Sequence, residues 1–401
     1  MPRSLLPFLL LLSAPLLAEE PPYELRLETV TQGYDGKTCW VHPRAGAIPA
    51  PGAAPTVVMT MQKLLLTGSD VFYALNHTSS GDLARTWTPL VEHDKTLGRR
   101  DEPDGTIVAA CDFTPKWHAK TGRLLGIGHT VRYSGDRVIH ERPRESSYSV
   151  YDAATATWTP WAMLAMPKEA KFFNSGAGCV QRVDLENGDI LLPIYFKAKG
   201  AKYYSVTVLR CGFDGTTLRY LGHGTELALE SGRGIYEPSL IKCAGRYYLT
   251  LRNDTAGYVS VSDDGQTFSE PKKWCWSGTG EEIGNYNTQQ HWVTHGGRLF
   301  LVYTRKGADN DHVFRHRAPL FMAEVDQSTL TVKRGTERIL VPERGARLGN
   351  FGVTEVSENE TWVTVAEWMQ KNGPDYVIKP DNQHGADNSV YAARILWKDA
   401  K

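Results

Sequence analysis

A short turn sequence that recurs along the chain constrains the fold more than any other feature. Its clearest copy, residues 262–268, reads S-x-D-x-G-x-T followed by an aromatic residue. In such a turn the aspartate can accept hydrogen bonds from backbone N–H groups, the glycine permits a positive φ, and the aromatic ring can pack between neighbouring sheets. Residues 80–87 form a second copy, with Ala84 where glycine is expected, and weaker copies occupy residues 152–158, 214–218 and 326–330.

Short strand-like runs lie between these turns. They are rich in Val, Ile, Tyr, Leu and Thr and are bounded by Gly, Asp, Asn or Pro, as strands usually are. The clearest are residues 57–61, 124–127, 189–194, 203–209, 247–251, 299–303 and 362–366. Helical periodicities longer than two turns are few. The sequence therefore predicts an all-β chain, folded as a sandwich, a barrel or a propeller.

The spacing of the turns favours the propeller. The five copies recur roughly every 50 to 70 residues, somewhat longer than the common propeller repeat. Together with a last sheet near residues 391–397 they account for six sheets. We expect a six-bladed β-propeller of four-stranded antiparallel sheets.

The first residues have the pattern of a secretory signal peptide. Arg3 precedes an apolar run over residues 5–12, and Ala18 offers a small residue at the cleavage position. The run is shorter than the roughly 20 residues of a membrane span. We expect cleavage near Ala18, a secreted or periplasmic protein, and a single domain over residues 19–401.

Charge and cysteine content exclude some classes of function. Lys and Arg number 45 against 45 Asp and Glu, whereas nucleic-acid binders usually carry a basic excess. No C-x-x-C pair supports a zinc cluster, and we predict no cofactor or metal, although a calcium in a polar loop stays open. The six cysteines fit either disulfides, with fifteen possible pairings, or small buried apolar residues.

The turn motif resembles the Asp-box, or BNR repeat, of the sialidase (neuraminidase) superfamily, which is built on six-bladed β-propellers. The resemblance runs from about Cys39 to Glu367. Sialidases carry, in chain order, an arginine, an aspartate, a glutamate, two further arginines, a tyrosine and a last glutamate. The matching positions here are Arg44, Asp70, Glu237, Arg252, Arg317 and Glu367, with Arg305 and Arg315 close enough to compete with Arg317.

The resemblance implies a chemistry for these residues. Three guanidinium groups would bind a substrate carboxylate in bidentate geometry, and Glu367 would offset part of their repulsion. Asp70 would serve as acid or base at the glycosidic oxygen, with Glu237 as the base that activates a tyrosine nucleophile. The implied function is that of an exported glycoside hydrolase, similar to exo-alpha-sialidases, acting on a terminal acidic sugar of a glycan.

The sequence departs from the family at the tyrosine. The segment where it is expected, residues 348–353, has Asn350 and Phe351, neither of which can act as a tyrosine does. Tyr286, in a polar segment, could serve instead. Alternatively, water could attack directly in an inverting displacement that uses two carboxylates.

Two further functions stay open. One is a polysaccharide lyase in which His129 abstracts a proton from a uronic acid whose carboxylate is neutralised by arginine. His129 and the polar segment 141–145 are expected in loops on the binding face. The other is a non-catalytic glycan-binding propeller, consistent with the missing tyrosine. The sequence leaves the oligomeric state and the identity of the acidic sugar open.

Overall fold

Residues 20–68, 70–370 and 383–398 are described in a computed structural model of the chain. The predicted signal peptide, residues 1–18, lies outside this range. No helix in the described part is long and apolar enough to cross a membrane.

The described chain forms many short strands and almost no helix. The first fifteen strands are β1 (Tyr23–Thr31), β2 (Thr38–Ile48), β3 (Thr56–Leu65), β4 (Phe72–Ser80), β5 (Val91–Glu92), β6 (Arg100–Asp101), β7 (Ile107–His118), β8 (Arg123–Ser134), β9 (Arg137–Val138), β10 (Ser146–Asp152), β11 (Thr157–Trp158), β12 (Ala162–Met163), β13 (Asn174–Gly176), β14 (Val183–Asp184) and β15 (Ile190–Lys197). The remaining strands are β16 (Ser205–Phe213), β17 (Leu218–His223), β18 (Leu227–Ala228), β19 (Tyr236–Cys243), β20 (Arg246–Arg252), β21 (Gly257–Ser262), β22 (Lys272–Lys273), β23 (His291–His295), β24 (Arg298–Tyr303), β25 (Leu320–Asp326), β26 (Thr331–Val332), β27 (Arg338–Val341), β28 (Gly352–Ser357), β29 (Glu360–Ala366) and β30 (Val390–Trp397). One α-helical turn, α1 (Asp94–Leu97), and three 3-10 turns at Ala170–Phe172, Phe314–His316 and Arg334–Thr336 complete the described elements.

These strands form six antiparallel sheets, which we number I to VI in chain order. Sheet I has the order β2-β3-β4-β5, sheet II β11-β10-β8-β7-β6 with β9 and β12 beside it, sheet III β13-β15-β16-β17 with β14 and β18, sheet IV β19-β20-β21-β22, sheet V β23-β24-β25-β26 with β27, and sheet VI β1-β30-β29-β28. Strand β2 packs against both β7 and β28, β15 packs against β19, and β23 packs against both β19 and β28. The sheets therefore follow one another in a propeller arrangement.

Sheet VI joins the two ends of the described chain. Strand β1 pairs with β30 in a register that places Tyr23 opposite Trp397 and Thr29 opposite Tyr391. The first strand thus completes a sheet whose other three strands come last in sequence. Backbone hydrogen bonds between the two ends close the arrangement and protect strand edges that would otherwise be free to pair with other chains.

The core consists of apolar layers between adjacent sheets. Between sheets IV and V, for example, the buried rings of Tyr248, Trp274, Trp292 and Tyr303 belong to one cluster. Trp274 and Trp292 meet edge to face with ring centroids 5.7 Å apart, a geometry that contributes about 1 kcal/mol beyond burial itself. Aromatic packing between sheets therefore holds neighbouring sheets together.

The strand and turn predictions agree with this architecture. Each of the seven predicted runs overlaps an observed strand and starts within two residues of it, but several observed strands extend further, by seven residues in β8. The five predicted turns all link the third long strand of a sheet to its fourth strand, in sheets I to V. All six cysteines are free, and all but Cys275 are buried, so the structure supports the interpretation as small buried residues.

The turn at residues 262–268 is held by one carboxylate. Asp264 Oδ1 accepts hydrogen bonds from the backbone N–H groups of Gln266, at 2.7 Å, and Thr267, at 2.6 Å, and from the hydroxyl of Ser262, at 2.9 Å. Gly265 has φ +75° and no room for a Cβ, which would lie 2.5 Å from Leu191. The turn at residues 80–87 uses Asp82 in the same way, and its Ala84 adopts the left-handed conformation as well.

Removing this carboxylate should destabilise the fold measurably. We expect Asp264→Ala to lower the free energy of unfolding by about 1 kcal/mol, because the N–H groups of two residues lose their acceptor. Urea denaturation followed by tryptophan fluorescence measures the change. Asp263→Ala is the matched control, since Asp263 is 85% exposed and pairs with Arg246 at the surface. Equal effects of the two substitutions would contradict the assigned role of Asp264.

Candidate functional site

Each sheet has one non-glycine residue in the left-handed conformation either within its innermost strand or in the loop next to that strand. These residues are His42 (φ 56°), Asp112 (φ 51°), Cys179 (φ 59°), Glu237 (φ 45°), Asn287 (φ 54°) and Asn350 (φ 57°), one for each of sheets I to VI. The strand register is interrupted at three of them, in β2, β7 and β19. Such bulges re-aim side chains, and left-handed non-glycine residues are uncommon enough to mark functional sites.

Side chains of this ring contact one another. Asp112 Oδ1 accepts a hydrogen bond from the Cys179 thiol at 2.9 Å and lies 3.3 Å from His42 Nδ1. On its other side, His42 Nε2 is 2.8 Å from Asn350 Nδ2. Four of the six residues, His42, Asp112, Cys179 and Asn350, are therefore in contact at the centre of the fold, although they are far apart in sequence.

A cavity of about 340 Å³ opens at this centre. Three carboxylates line it, those of Asp70, Asp112 and Glu237. Seven arginines line it as well: Arg142, Arg144, Arg233, Arg252, Arg315, Arg317 and Arg347. A neutral chain therefore concentrates positive charge at one place. A second cavity of about 260 Å³ is lined mainly by apolar and uncharged residues.

The structure brings four of the six predicted site residues together. Asp70, Glu237, Arg252 and Arg317 line the cavity. Arg44 does not line it and is 1% exposed. Its Nη2 donates to Asp112 Oδ1 at 3.1 Å, so Arg44 lies behind Asp112. The bulge in β2 ends at Arg44, and it is His42 that occupies the left-handed position.

Glu367 lies outside the cavity lining too. It is buried, and Oε2 accepts hydrogen bonds from the backbone N–H groups of Asp387 at 3.0 Å and Ser389 at 3.1 Å. Arg344 Nη1 is 3.6 Å from Oε1. Burial raises the pKa of Glu367. In the described part of the chain Glu367 thus contacts Arg344 and the segment before β30, not Arg44.

Asp70 places at the cavity a carboxylate that has no hydrogen-bond partner in the described chain. Asp70 is exposed, and its backbone is in the left-handed conformation, with φ 53°. The hydroxyl of Tyr133 donates to the Asp70 backbone carbonyl at 2.9 Å and fixes the peptide. Within the described residues the Asp70 side chain has no hydrogen bond or ion pair. It is therefore available to exchange a proton with a ligand.

Two of the cavity arginines are fixed from sheets IV and V. Arg252 donates from Nη1 to Glu237 Oε2 and from Nη2 to Asn287 Oδ1 at 3.0 Å. Arg317 Nε donates to the backbone carbonyl of Asn287 at 3.0 Å. Gly349 leaves the space for Arg317, because a Cβ there would lie 2.9 Å from its Nη1. Both guanidinium groups are therefore preorganised.

The other arginines near Arg317 lack carboxylate partners. Arg347 Nη2 donates to Gln370 Oε1 at 2.7 Å, and neither Arg315, Arg317 nor Arg347 has a carboxylate within 4 Å among the described residues. Burial, followed by Arg252, Arg315 and Arg347, lowers the pKa of Arg317 well below its ordinary value. Arginine nevertheless keeps its proton in proteins. The lowered pKa of Arg317 therefore means that holding its positive charge here costs free energy, and a bound anion would remove that cost.

A tyrosine, a histidine and an aspartate form a chain along another part of the lining. Tyr195 Oη is 3.1 Å from His129 Nδ1, and His129 Nε2 is 3.4 Å from Asp112 Oδ2. Burial lowers the pKa of His129 well below its ordinary value and raises that of Tyr195. A neutral imidazole beside a phenol can transfer a proton. Gly178 accommodates His129, because a Cβ would lie 2.1 Å from its Nδ1.

Sequence reasoning raised His129 but missed its partners. Asp112 and Tyr195 lie inside apolar strand runs and carry no motif. Only the bulge in β7, which sequence does not show, turns Asp112 toward the cavity. Burial by itself would raise the pKa of Asp112, but His42, Arg44 and His129 lower it far below its ordinary range. Asp112 therefore stays ionised.

Tyr236 is another cavity residue that the sequence did not single out. Its hydroxyl donates to Asp254 Oδ1 at 2.6 Å and accepts from Arg233 Nη2 at 2.5 Å. The Arg252 guanidinium lies 4.7 Å from its ring. Burial raises the pKa of Tyr236 to about 12.

The tyrosine predicted as a substitute lies elsewhere. Tyr286 Oη bonds His316 Nδ1 at 2.6 Å, and Tyr286 is absent from the cavity lining. In the segment where the family tyrosine is expected, Asn350 lines the cavity and Phe351 is fully buried. The lining thus presents an amide where the resemblance calls for a phenol.

Two described groups of side chains have the spacing of metal ligands. Cys111, Asp112 and His129 form one, in the cavity wall. A cation there would meet the positive charges of Arg44 and Arg144, which disfavours it. The other group, formed by His312, Glu343 and His384, lies outside the cavity lining.

Comparison with solved structures identifies the fold. No protein-family model matches the sequence, and no curated protein matches it. The NanB sialidase of Streptococcus pneumoniae aligns with a TM-score of 0.59 at 10% identity, covering 94% of this chain and 71% of that one. The fold is that of the sialidases. Trypanosoma rangeli sialidase aligns with a TM-score of 0.58 at 14% identity, over 91% of this chain.

Coverage differs among these similar structures. The chain spans only 57% of the length of the Trypanosoma rangeli sialidase. A protein of unknown function from Dyadobacter fermentans, in contrast, is covered over 99% of its length, with a TM-score of 0.59 and 14% identity. At these identities the comparisons establish the sialidase-like fold alone.

Buried His42 should make stability depend on pH. Burial lowers its pKa to about 4, below the ordinary value of 6.5, so between these pH values the folded protein binds fewer protons than the unfolded chain. The contribution of the neutral imidazole is complete above pH 6.5 and is lost as the pH falls toward 4. We expect the free energy of unfolding to fall by about 2 kcal/mol on this account between pH 7 and pH 5.

Urea denaturation of two variants at both pH values tests this assignment. His42→Gln should flatten the pH dependence by about that amount, since glutamine does not titrate. His140→Gln replaces an exposed histidine and should leave the dependence unchanged. Identical pH dependence in wild type and His42→Gln would contradict the assignment.

Proposed function

We propose that this protein is an exported glycoside hydrolase, similar in action to exo-alpha-sialidases, that removes a terminal carboxylate-bearing sugar from a glycan. The observation that carries the proposal is the arginine-rich cavity. Arg315, Arg317 and Arg347 line it without carboxylate partners in the described chain. A substrate carboxylate would supply the missing negative charge and could bind the guanidinium groups in bidentate geometry.

We also infer that the six sheets are the blades of one six-bladed propeller and that the recurring turns are Asp-boxes. Six left-handed residues, one for each sheet, support the blade count. The shared hydrogen-bond pattern of Asp82 and Asp264 supports the identity of the turns. A cavity at the propeller centre suits a sugar at the end of a chain.

Asp70 is the proposed acid. Its carboxyl group has no partner within the described residues, so in its protonated form it can give its proton to the leaving glycosidic oxygen. With Asn350 in the lining and no tyrosine at that position, water is the attacking group in this proposal, and the Glu237 carboxylate, which also lines the cavity, takes the proton that the water loses. Glu237 holds Arg252 through an ion pair and thereby positions the carboxylate site.

Loss of turnover in two variants would support the hydrolase proposal. We expect Asp70→Asn to lower kcat on a fluorogenic sialoside or glucuronide by about 10²- to 10⁴-fold, since proton transfer is lost. Arg317→Gln should instead raise KM at least about tenfold, because a buried charge contact to the substrate is lost. Arg219→Gln, a surface arginine paired with Asp214, is the control and should behave as wild type.

Wild-type protein that turns over neither class of substrate would refute hydrolysis of these sugars. If such a protein still bound acidic sugars, and Asp70→Asn bound them equally well, the protein would be a non-catalytic glycan-binding propeller.

A uronate lyase is the second candidate, favoured by the Tyr195–His129–Asp112 chain. After arginine neutralises the carboxylate, the base removes the proton from C5, the C4–O bond breaks, and a C4=C5 double bond forms. His129 with Tyr195 would take that proton from C5 and pass it to the leaving C4 oxygen, while Asp112 holds the imidazole. The reaction needs no covalent intermediate and therefore no tyrosine at position 350.

Ultraviolet absorbance separates the two chemistries. A lyase acting on uronic-acid oligosaccharides produces an unsaturated, absorbing end, and Tyr195→Phe should lower that rate by about 10²- to 10⁴-fold. Tyr220→Phe is the matched control, since its hydroxyl bonds His223 outside the cavity lining. Sugar release without the absorbance would exclude the lyase.

A further inference from the structure

Arg142 and Arg144 form a second cationic group in the cavity. They belong to the segment between β9 and β10 of sheet II. Arg315, Arg317 and Arg347, in contrast, come from the segments before β25 and before β28. The substrate carboxylate is already assigned to those arginines, so the pair from sheet II is left without a role.

Neither arginine of the pair has an acidic partner. Within the described chain no carboxylate lies within 4 Å of Arg142 or Arg144. The two glutamates that flank them in sequence are engaged elsewhere: Glu145 pairs with Arg132 at 2.8 Å, and Glu141 accepts from the backbone N–H of Gly200 at 2.8 Å. The positive charges are thus not neutralised by their neighbours.

Hydrogen-bonding capacity is unused as well. The Nε atoms of both Arg142 and Arg144 are buried without a partner. Arg142 Nη1 donates to the carbonyl of Ile139 at 2.7 Å, and the Arg144 guanidinium lies 5.0 Å from the ring of Tyr195. Buried donors without acceptors are costly, and an oxyanion with several oxygens would satisfy them.

The segment that carries the pair is firmly held. The backbone N–H of Arg144 donates to Phe173 at 3.2 Å, its carbonyl accepts from Ser175 at 3.0 Å, and Asn174 Nδ2 donates to the carbonyl of Arg142 at 3.0 Å. Gly176 makes room for the Arg144 side chain, because a Cβ there would lie 3.1 Å from its Cδ. The two guanidinium groups are therefore built into the cavity wall.

The charges within the pair act against each other. Burial, followed by Arg144, lowers the pKa of Arg142. Asp70, which also lines the cavity, offsets part of this effect on the pKa of Arg142. Burial lowers the pKa of Arg144 too, but its neighbours, Tyr195 first and Glu237 among them, raise it above its ordinary value. An anion bound by both guanidinium groups would remove the repulsion.

We propose that Arg142 and Arg144 are a second anion subsite, which takes a sulfate or phosphate ester on the sugar whose carboxylate binds the other arginines. The substrate class is then a doubly charged saccharide, an acidic sugar that carries a tetrahedral oxyanion ester. This substrate class rests on the proposed function, because the first anion is the carboxylate assigned there. The ester subsite itself stands on the contacts of Arg142 and Arg144.

Calorimetric titration of the full chain with defined monosaccharides tests the subsite. The probes are methyl glucuronide and methyl sialoside, each unmodified and with a single O-sulfate or O-phosphate at every free hydroxyl in turn. We expect at least one ester to bind tenfold or more tightly than its unmodified parent. The sulfate and phosphate arms distinguish the two esters. No ester binding more tightly than its parent would overturn the proposal.

Variants test whether the tighter binding of an ester depends on Arg142 and Arg144. Arg144→Gln and Arg142→Gln should remove the preference for the ester while leaving affinity for the unmodified sugar within about twofold. Arg144→Lys, which keeps a charge, should retain part of it, and Arg137→Gln, an exposed arginine of the same sheet, should retain all of it. Arg144→Gln weakening esters and parents by the same factor would overturn the subsite. Circular dichroism confirms that each variant is folded.

The matching sulfates and phosphates of methyl glucoside, which has no carboxylate, separate this subsite from the proposed function. If they bind through Arg144 while methyl glucuronide binds no better than methyl glucoside, the proposed function fails and the ester subsite stands. If methyl glucuronide binds and no ester gains affinity, the subsite fails and the carboxylate site stands.

Discussion

One left-handed residue in the inner part of each sheet organises the centre of this molecule. A non-glycine residue in that conformation costs roughly 1–2 kcal/mol, and three of the six, Asp112, Glu237 and Asn350, line one cavity. Register shifts in β2, β7 and β19 accompany His42, Asp112 and Glu237. The packing of the six sheets offsets this strain. The bulges interrupt the alternation of side chains along the strands, so polar side chains point to the centre.

The charges at this centre are arranged around Asp112. A buried guanidinium needs a partner, and Arg44 finds it in Asp112, which also contacts His42 and His129. The arginines around the cavity therefore fall into two groups, those with an acidic partner and those without. Behind the lining, Arg44 is compensated, whereas in the lining Arg315, Arg317 and Arg347 have no acidic partner among the described residues. That imbalance is what makes the cavity suited to an anion rather than a cation.

Much of the architecture followed from local chemistry. Strand alternation and the turn carboxylates act over a few residues, so the positions of β3, β20 and β24 and of the turn at residues 262–268 could be predicted. The order of residues along the chain did not predict every site residue correctly, because a bulge changes the direction of a side chain and leaves no mark in the sequence. Thus Asp70, Glu237, Arg252 and Arg317 reach the cavity, while Arg44 is buried behind Asp112.

The sequence by itself determined an all-β chain with a repeated turn, and its resemblance to sialidases suggested a set of site residues. It also determined what is missing, since Asn350 and Phe351 stand where a tyrosine is expected. Only the tertiary structure decided which charged side chains line the same cavity. Asp112, His129 and Tyr195, like the unpaired Arg142 and Arg144, come from different strands and loops. Asp112 and His129 meet across the paired strands β7 and β8 of sheet II, and Tyr195 reaches them from sheet III. How these groups and the arginines of sheets IV and V come to share one cavity depends on how the sheets pack side by side, a long-range geometry that no local pattern of residues encodes.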